Sequence, residues 1–147
     1  MPQQTDEGAP VRIASVRERG GALVGKKLRL AGRNMCYDEN TGYLVLLDSG
    51  IGVLVDISLV LEKERMLSWV QESFSPVEVF GYLEQCDEGL PVPSMPPHAS
   101  PPEIDTHLIL RAILIIPSSD LSLDVWNSVV EELEVELGRP QVGFIGG

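Results

Sequence analysis

Positive charge, aromatic rings and cysteine are all scarce in this chain of 147 residues. Eleven lysines and arginines stand against 22 aspartates and glutamates, a formal charge of −11. That balance excludes a protein that grips nucleic acid through bulk positive charge, because phosphate binding is largely electrostatic; any such contact has to be local or shared with a partner. Two cysteines, Cys36 and Cys86, far apart and outside any CxxC, suggest neither a disulfide framework nor a zinc site. They read as reduced thiols of a nuclear or cytosolic protein. The longest apolar run, Leu108 to Ile116, is too short to span a bilayer and contains Arg111. The opening MPQQTDEGAP has neither the basic nor the apolar region of a signal peptide. No GxSxG, Walker loop or HExxH is present, and His98 and His107 lie apart, so the expectation is a non-enzyme without metal or cofactor.

What is present is a pattern of short strands. The length suits one domain with one core. Residues 1–10, polar with proline and glycine, read as a loose tail. Val11 to Arg19 fits a short helix or extended arm, with Gly20-Gly21 expected to end it. From Lys26 the period becomes two, with Leu28 and Leu30 on one side and Arg29, Ala31 and Arg33 on the other. Gly32 interrupts this strand where a side chain is expected, the mark of a bend or bulge. Asp38-Glu39-Asn40-Thr41-Gly42 superficially suggests a calcium loop, but its glycine comes one position early and a hairpin turn explains it better.

Tyr43 to Asp48 returns, Ser49-Gly50 turns again, and Gly52 to Ile57 makes a third strand. An amphipathic helix is expected over Leu59 to Gln71, and a fourth strand over Val77 to Glu84 around Gly81. Residues 88–103, with PVPSMPPHASPPE inside them, are too proline-rich for sheet or helix and predict an exposed loop insertion, its PxxP spacing a weaker sign of an SH3 or WW ligand. His107 to Ile116 is a fifth strand, apolar on both faces at its end, so both faces should be covered. Asp120 or Ser122 is suited to cap a last helix that runs to Leu137, with Gly138 at its end and 138–147 as a second loose tail.

Three meandering strands, a helix between the third and fourth, and two more strands describe an all-β core with helices, the five-stranded Greek-key barrel called the OB fold, spanning residues 11–137. Gly32 and Gly81 are its corners in this reading. The stretches LRLAGRNMCYDENTGYLVLLDSG, VLVDISLVLE and VEVFGYLE resemble the smallest OB-fold subunit of the CST telomere-capping complex, the Ten-one family. The matching positions are Leu28, Arg29, Gly32, Tyr37 and Asp38, then Val55 and Asp56, then Val79, Gly81 and Leu83. The smallest subunit of replication protein A has the same plan and stands as the alternative.

The resemblance implies a Stn subunit as partner, through it the large CST subunit, and a nuclear, telomeric location. Independently, Trp126, Val129, Val130, Leu133 and Leu137 form an apolar stripe on the last helix, suited to anchor a partner or to close the barrel's own end. OB folds bind single strands by aromatic stacking and cations on the face of their second and third strands; Lys27, Arg29, Arg33, Tyr37, Tyr43 and Arg111 are the candidates. With aromatics only 5% of the chain, binding of single-stranded DNA by the free protein is expected to be weak.

Overall fold

The computed structural model describes residues 8–63 and 74–138, with side chains placed up to Leu61 in the first stretch and Glu134 in the second. Chain order is β1 (Ala9–Pro10), α1 (Ile13–Leu23), β2 (Lys27–Asp38), β3 (Tyr43–Asp48), β4 (Ile51–Asp56), α2 (Ser58–Lys63), β5 (Pro76–Gln85), β6 (Glu103–Pro117) and α3 (Leu123–Gly138). The expected tails, apart from residues 8–10 and Gly138, fall outside the described residues. So does the expected helix beyond Lys63.

The sheet runs β1-β2-β3-β4-β6-β5 and closes by a second pairing of β2 with β5. Five strands therefore form a closed barrel, antiparallel except for β4 beside β6. This is the OB fold that the strand pattern predicted. Its closure depends on β2, whose first half pairs with β5 and whose second half pairs with β3, the exchange falling at Arg33. Gly32 stands beside that exchange because nothing larger fits: a Cβ there would lie 2.7 Å from Ile13 Cδ1 and 2.8 Å from Leu46 Cγ. Gly81 sits at a register shift between β5 and β6, where a Cβ would lie 2.3 Å from the Arg111 carbonyl oxygen. Both glycines are barrel corners, one set mainly by side chains and the other wholly by backbone.

Alternation along the strands sends Leu28, Leu30, Leu44, Leu46, Val53, Val55, Val77, Val79, Leu83 and Leu110 into the barrel. Helix α1 adds Ile13, Val16 and Leu23 to this core and touches β2, β3, β4 and β6, so it is packed against most of the barrel's strands. Its helical backbone breaks at Arg19, just before the Gly20-Gly21 pair where an end was expected, and a second short helical stretch carries on past the kink to Leu23. Gly20 is buried against Leu108, whose Cδ1 would lie 2.4 Å from an added Cβ, so close packing accounts for the glycine that the sequence suggested was a stop. The Asp38–Gly42 segment is a hairpin turn: the Asp38 carboxylate accepts from the Asn40 amide and the Thr41 hydroxyl, and Gly42 takes φ +79°. Residues 8–10 are not loose, since Ala9 and Pro10 pair in parallel with Leu28 and Arg29.

The proline-rich segment departs most from expectation. It has no regular structure, as its prolines dictate, but it is not simply exposed: Pro93 is buried, and Leu90, Met95 and Ala99 pack on a second apolar cluster of Met35, Val45, Leu54 and Ile109 outside the barrel. A free PxxP ligand is incompatible with a buried Pro93. The end of β6 differs in the opposite sense, since Leu114 and Ile116 are 45% and 40% exposed where covered faces were expected.

Candidate protein and nucleic-acid interfaces

The most developed surface feature lies along α3. Ser122 caps the helix, its hydroxyl accepting from the Val125 amide at 3.3 Å, which settles the choice between Ser122 and Asp120. The helix buries Leu123 and Val130 but leaves Val125, Val129 and Leu133 at 62%, 53% and 44% exposure. Trp126 is half-buried between these sets. Val125, Trp126, Val129, Val130 and Leu133 line, with Pro10, Leu121 and Arg29, an apolar groove of about 400 Å³. Of the five residues expected in an anchor stripe, four line this groove; the Leu137 side chain lies outside the described residues.

Polar contacts hold one face of α3 against α1 and β3. The Glu134 carboxylate accepts from the Arg12 amide at 2.9 Å, from the Arg12 guanidinium at 3.2 and 3.3 Å, and from the Ser15 hydroxyl. Arg19 adds a longer ion pair at 3.8 Å. Two turns earlier along α3, Asn127 Nδ2 donates to Asp48 Oδ2 at 2.8 Å. Burial pushes the Glu134 carboxyl up, but the hydrogen bonds from Arg12 and Ser15 and the charge of Arg12 outweigh it and hold the pKa below its usual 4.5. The same contact raises the Arg12 guanidinium.

A carboxyl depressed in the folded state stabilises at pH above its unfolded pKa, and that contribution is lost as pH falls through the lower folded value. Glu134→Ala is therefore expected to cost about 2 kcal/mol at pH 7, the scale of charge-assisted hydrogen bonds in a partly buried site. The loss should shrink toward pH 3. Thermal melts of both proteins at the two pH values check this; an equal gap at both would show that the carboxylate charge plays no part.

The six residues proposed for nucleic acid do not form one site. Tyr43 and Arg111 are close on the outer face of β3, β4 and β6: Arg111 Nε and Nη2 grip Glu84 at 2.9 and 3.0 Å, and Nη1 reaches Asp56 at 3.1 Å. Asp56 pairs in register with Tyr43. The grip raises the Arg111 pKa and lowers that of Glu84, so this cation arrives largely neutralised by its own chain. Arg29 turns toward the α3 groove, its guanidinium 5.7 Å from the centre of the Phe80 ring and its Nε buried without a hydrogen-bond partner among the described residues. Lys27 is on the same outer side of β2, and Arg33 is exposed with Nη1 on the Phe74 carbonyl at 3.1 Å.

Tyr37 turns the other way. A bulge between Asn34 and Cys36 sets both Met35 and Cys36 on the outer face and reverses the alternation after them, so Tyr37 packs against the barrel core. Three residues that sequence reasoning did not single out share the outer face of β5 and β6: Tyr82, 43% exposed, and Leu114 and Ile116. With Phe80 and Arg29 they continue the uncovered apolar surface beyond the α3 groove. The alternation of VEVFGYLE carried that signal for Phe80 and Tyr82.

The chain matches no family model and no curated protein sequence. Among solved structures it is similar to a chain of the S. pombe Stn1–Ten1 complex, at 19% identity and TM-score 0.58 over 90% of this chain and 97% of that one. It is also similar to the S. pombe telomere capping protein Ten1, at 18% identity and TM-score 0.56 over 86% and 97%. A chain of U. maydis replication protein A bound to single-stranded DNA matches at 16% identity and TM-score 0.56 over 90% and 94%. At such identities the likeness speaks for the fold, and it covers nearly the whole of each chain. The protein is an OB-fold protein with a C-terminal helix, similar in architecture to Ten1.

Proposed function

We propose that this chain is a non-enzymatic subunit of a telomere-capping complex of the CST kind, pairing through α3 with a larger OB-fold subunit of the Stn type and contributing to single-stranded telomeric DNA binding, end protection and replication. The observation that carries the reading is the groove along α3, where Val125, Val129 and Leu133 face solvent beside a half-buried Trp126 on a helix already fixed to the barrel. A helix that only completed its own core would bury such residues. A preorganised apolar strip with a large aromatic at its centre suits a partner helix. Support for the Stn type of partner comes from the S. pombe complex, whose two named components are Stn1 and Ten1. The large CST subunit would be reached through that partner, and the site of action would be the nuclear chromosome end.

Replication protein A remains the second reading, favoured by the likeness to the U. maydis protein over 90% of this chain. Tagged protein purified from its own cells separates the two. Recovery of a Stn-type subunit with telomeric chromatin is expected. Recovery of replication protein A subunits would move the function to general single-strand protection, while recovery of no OB-fold protein would sink both.

A further inference from the structure

OB folds take single strands on the outer face of their second and third barrel strands, between the loops that follow the first and fourth. In this chain those strands are β3 and β4, and the loop after the fourth is the proline-rich segment 86–102. The outer side chains there are Tyr43, Val45 and Leu47 on β3 and Leu54 on β4, joined by Met35 and Cys36 at the β2 bulge and by Ile104 and Ile109 on β6. Such a face would normally be open. Here Val45 and Leu54 are fully buried, and Leu90, Met95 and Ala99 of the segment lie against this cluster.

The segment is tied at both ends and in the middle. Its start is held by the Cys86 amide on the His107 carbonyl at 2.8 Å and by the Leu90 amide on the Thr106 carbonyl at 2.9 Å. Its end is held by the Glu103 amide on the Gly50 carbonyl at 2.9 Å. Between them Met95 Sδ is 3.9 Å from Cys36 Sγ. At the far end Pro102 lies over Gly52: a Cβ on that glycine would be 3.4 Å from Pro102 Cγ and 3.1 Å from Ile104 Cγ1, so a bare backbone lets the chain pass close.

We infer that residues 88–102 are a strap seated on the single-strand face of this OB fold, and that the free protein binds single-stranded nucleic acid through that face only when the strap lifts. Two features favour a removable occupant over a permanent second core. The middle of the strap makes no sheet ladder and meets the barrel mainly through a few side chains, whereas its two ends are hydrogen-bonded like hinges. At the rim stand the groups a single strand uses, the Tyr43 ring and the Arg111 guanidinium, the latter held in reserve by Glu84 and Asp56. The inference rests on the single-strand part of the proposed function and not on the partner.

The test uses two variants of the full chain, one with residues 89–101 replaced by a short Gly-Ser linker and one carrying Leu90→Gln with Met95→Gln. Far-UV circular dichroism checks the barrel, and thiol labelling in a Cys86→Ser background reports whether Cys36 has been uncovered. Affinity for a fluorescein-labelled oligo-dT is then compared with that of the parent chain at matched salt. Uncovered variants are expected to bind at least about tenfold more tightly, roughly the worth of one stacked base. Folded variants with faster Cys36 labelling and unchanged affinity would overturn the strap. If the linker variant does not fold, the double glutamine variant answers alone. Co-purification of an OB-fold partner through α3 reads the partner proposal separately.

Discussion

Alanine at both Trp126 and Leu133 is expected to abolish capture of the larger OB-fold partner while leaving the barrel folded. The two side chains line the same groove, Trp126 half-buried and Leu133 44% exposed. Truncating a central aromatic anchor typically costs 2 kcal/mol or more of binding, and a second apolar contact on the same face brings the loss to about a thousandfold in Kd. The cost to the fold is smaller. Leu133 gives up little packing, and the buried contacts that seat α3, Leu123 and Val130, are untouched. Pull-down of the partner and a thermal melt of the free protein decide it. Retained binding would mean that the partner sits elsewhere, and loss of cooperative melting would mean that the stripe serves this chain's own core.

Gly81→Ala is the substitution expected to cost most in stability. The added methyl would stand 2.3 Å from the Arg111 oxygen, 2.8 Å from the Arg111 carbonyl carbon and 2.9 Å from Ala112 Cα. All three are backbone atoms of a paired strand, so no rotamer change relieves the overlap. Relief requires the β5–β6 register shift itself to move, along with strands paired on both sides. We expect a loss of about 3 kcal/mol or more, at or beyond the upper end of overpacking costs, and failure to fold if total stability is near the lower end of the usual range. Gly32→Ala should be milder. Its two nearest neighbours are side-chain atoms, Ile13 Cδ1 and Leu46 Cγ, which have some freedom to shift, and the backbone is met only at the Leu47 carbonyl oxygen, 3.0 Å away. Chemical denaturation of both variants checks the order; equal losses would mean that the two corners yield alike.

These glycines were legible because a strand that alternates cleanly on both sides of a glycine leaves few other reasons for its presence. At Gly20-Gly21 the signal was mixed: the helix does break at Arg19 beside them, but Gly20 also admits a neighbouring Leu108 and helical backbone resumes beyond the kink. Counting in twos from Arg29 and Arg33 puts Tyr37 on their face of the strand. A single inserted residue at the Asn34–Cys36 bulge reverses that count, and nothing in RNMCY announces it. The strap was half legible: prolines state what a segment cannot join, but not what it lies upon. The charge of Arg111 was visible in the sequence, whereas its two carboxylate partners come from strands 27 and 55 residues away. The α3 stripe was readable from helical spacing. Whether it faced the barrel or the solvent depended on which residues the Glu134 and Asn127 contacts turned inward.

The Glu134 contact also bears on the order of folding. It joins positions 122 residues apart, so forming it early would close nearly the entire chain into one loop before other contacts repay the entropy. The barrel strands, already paired, shorten that loop. The clasp therefore belongs after the folding barrier, and its loss in Glu134→Ala should appear as faster unfolding with an almost unchanged folding rate, measurable in the two arms of a denaturant chevron. A slower folding arm would place the clasp in the nucleus. A late clasp makes α3 the element that joins the fold last and leaves it first, and thus the part of the molecule whose residence time governs how long the partner surface persists.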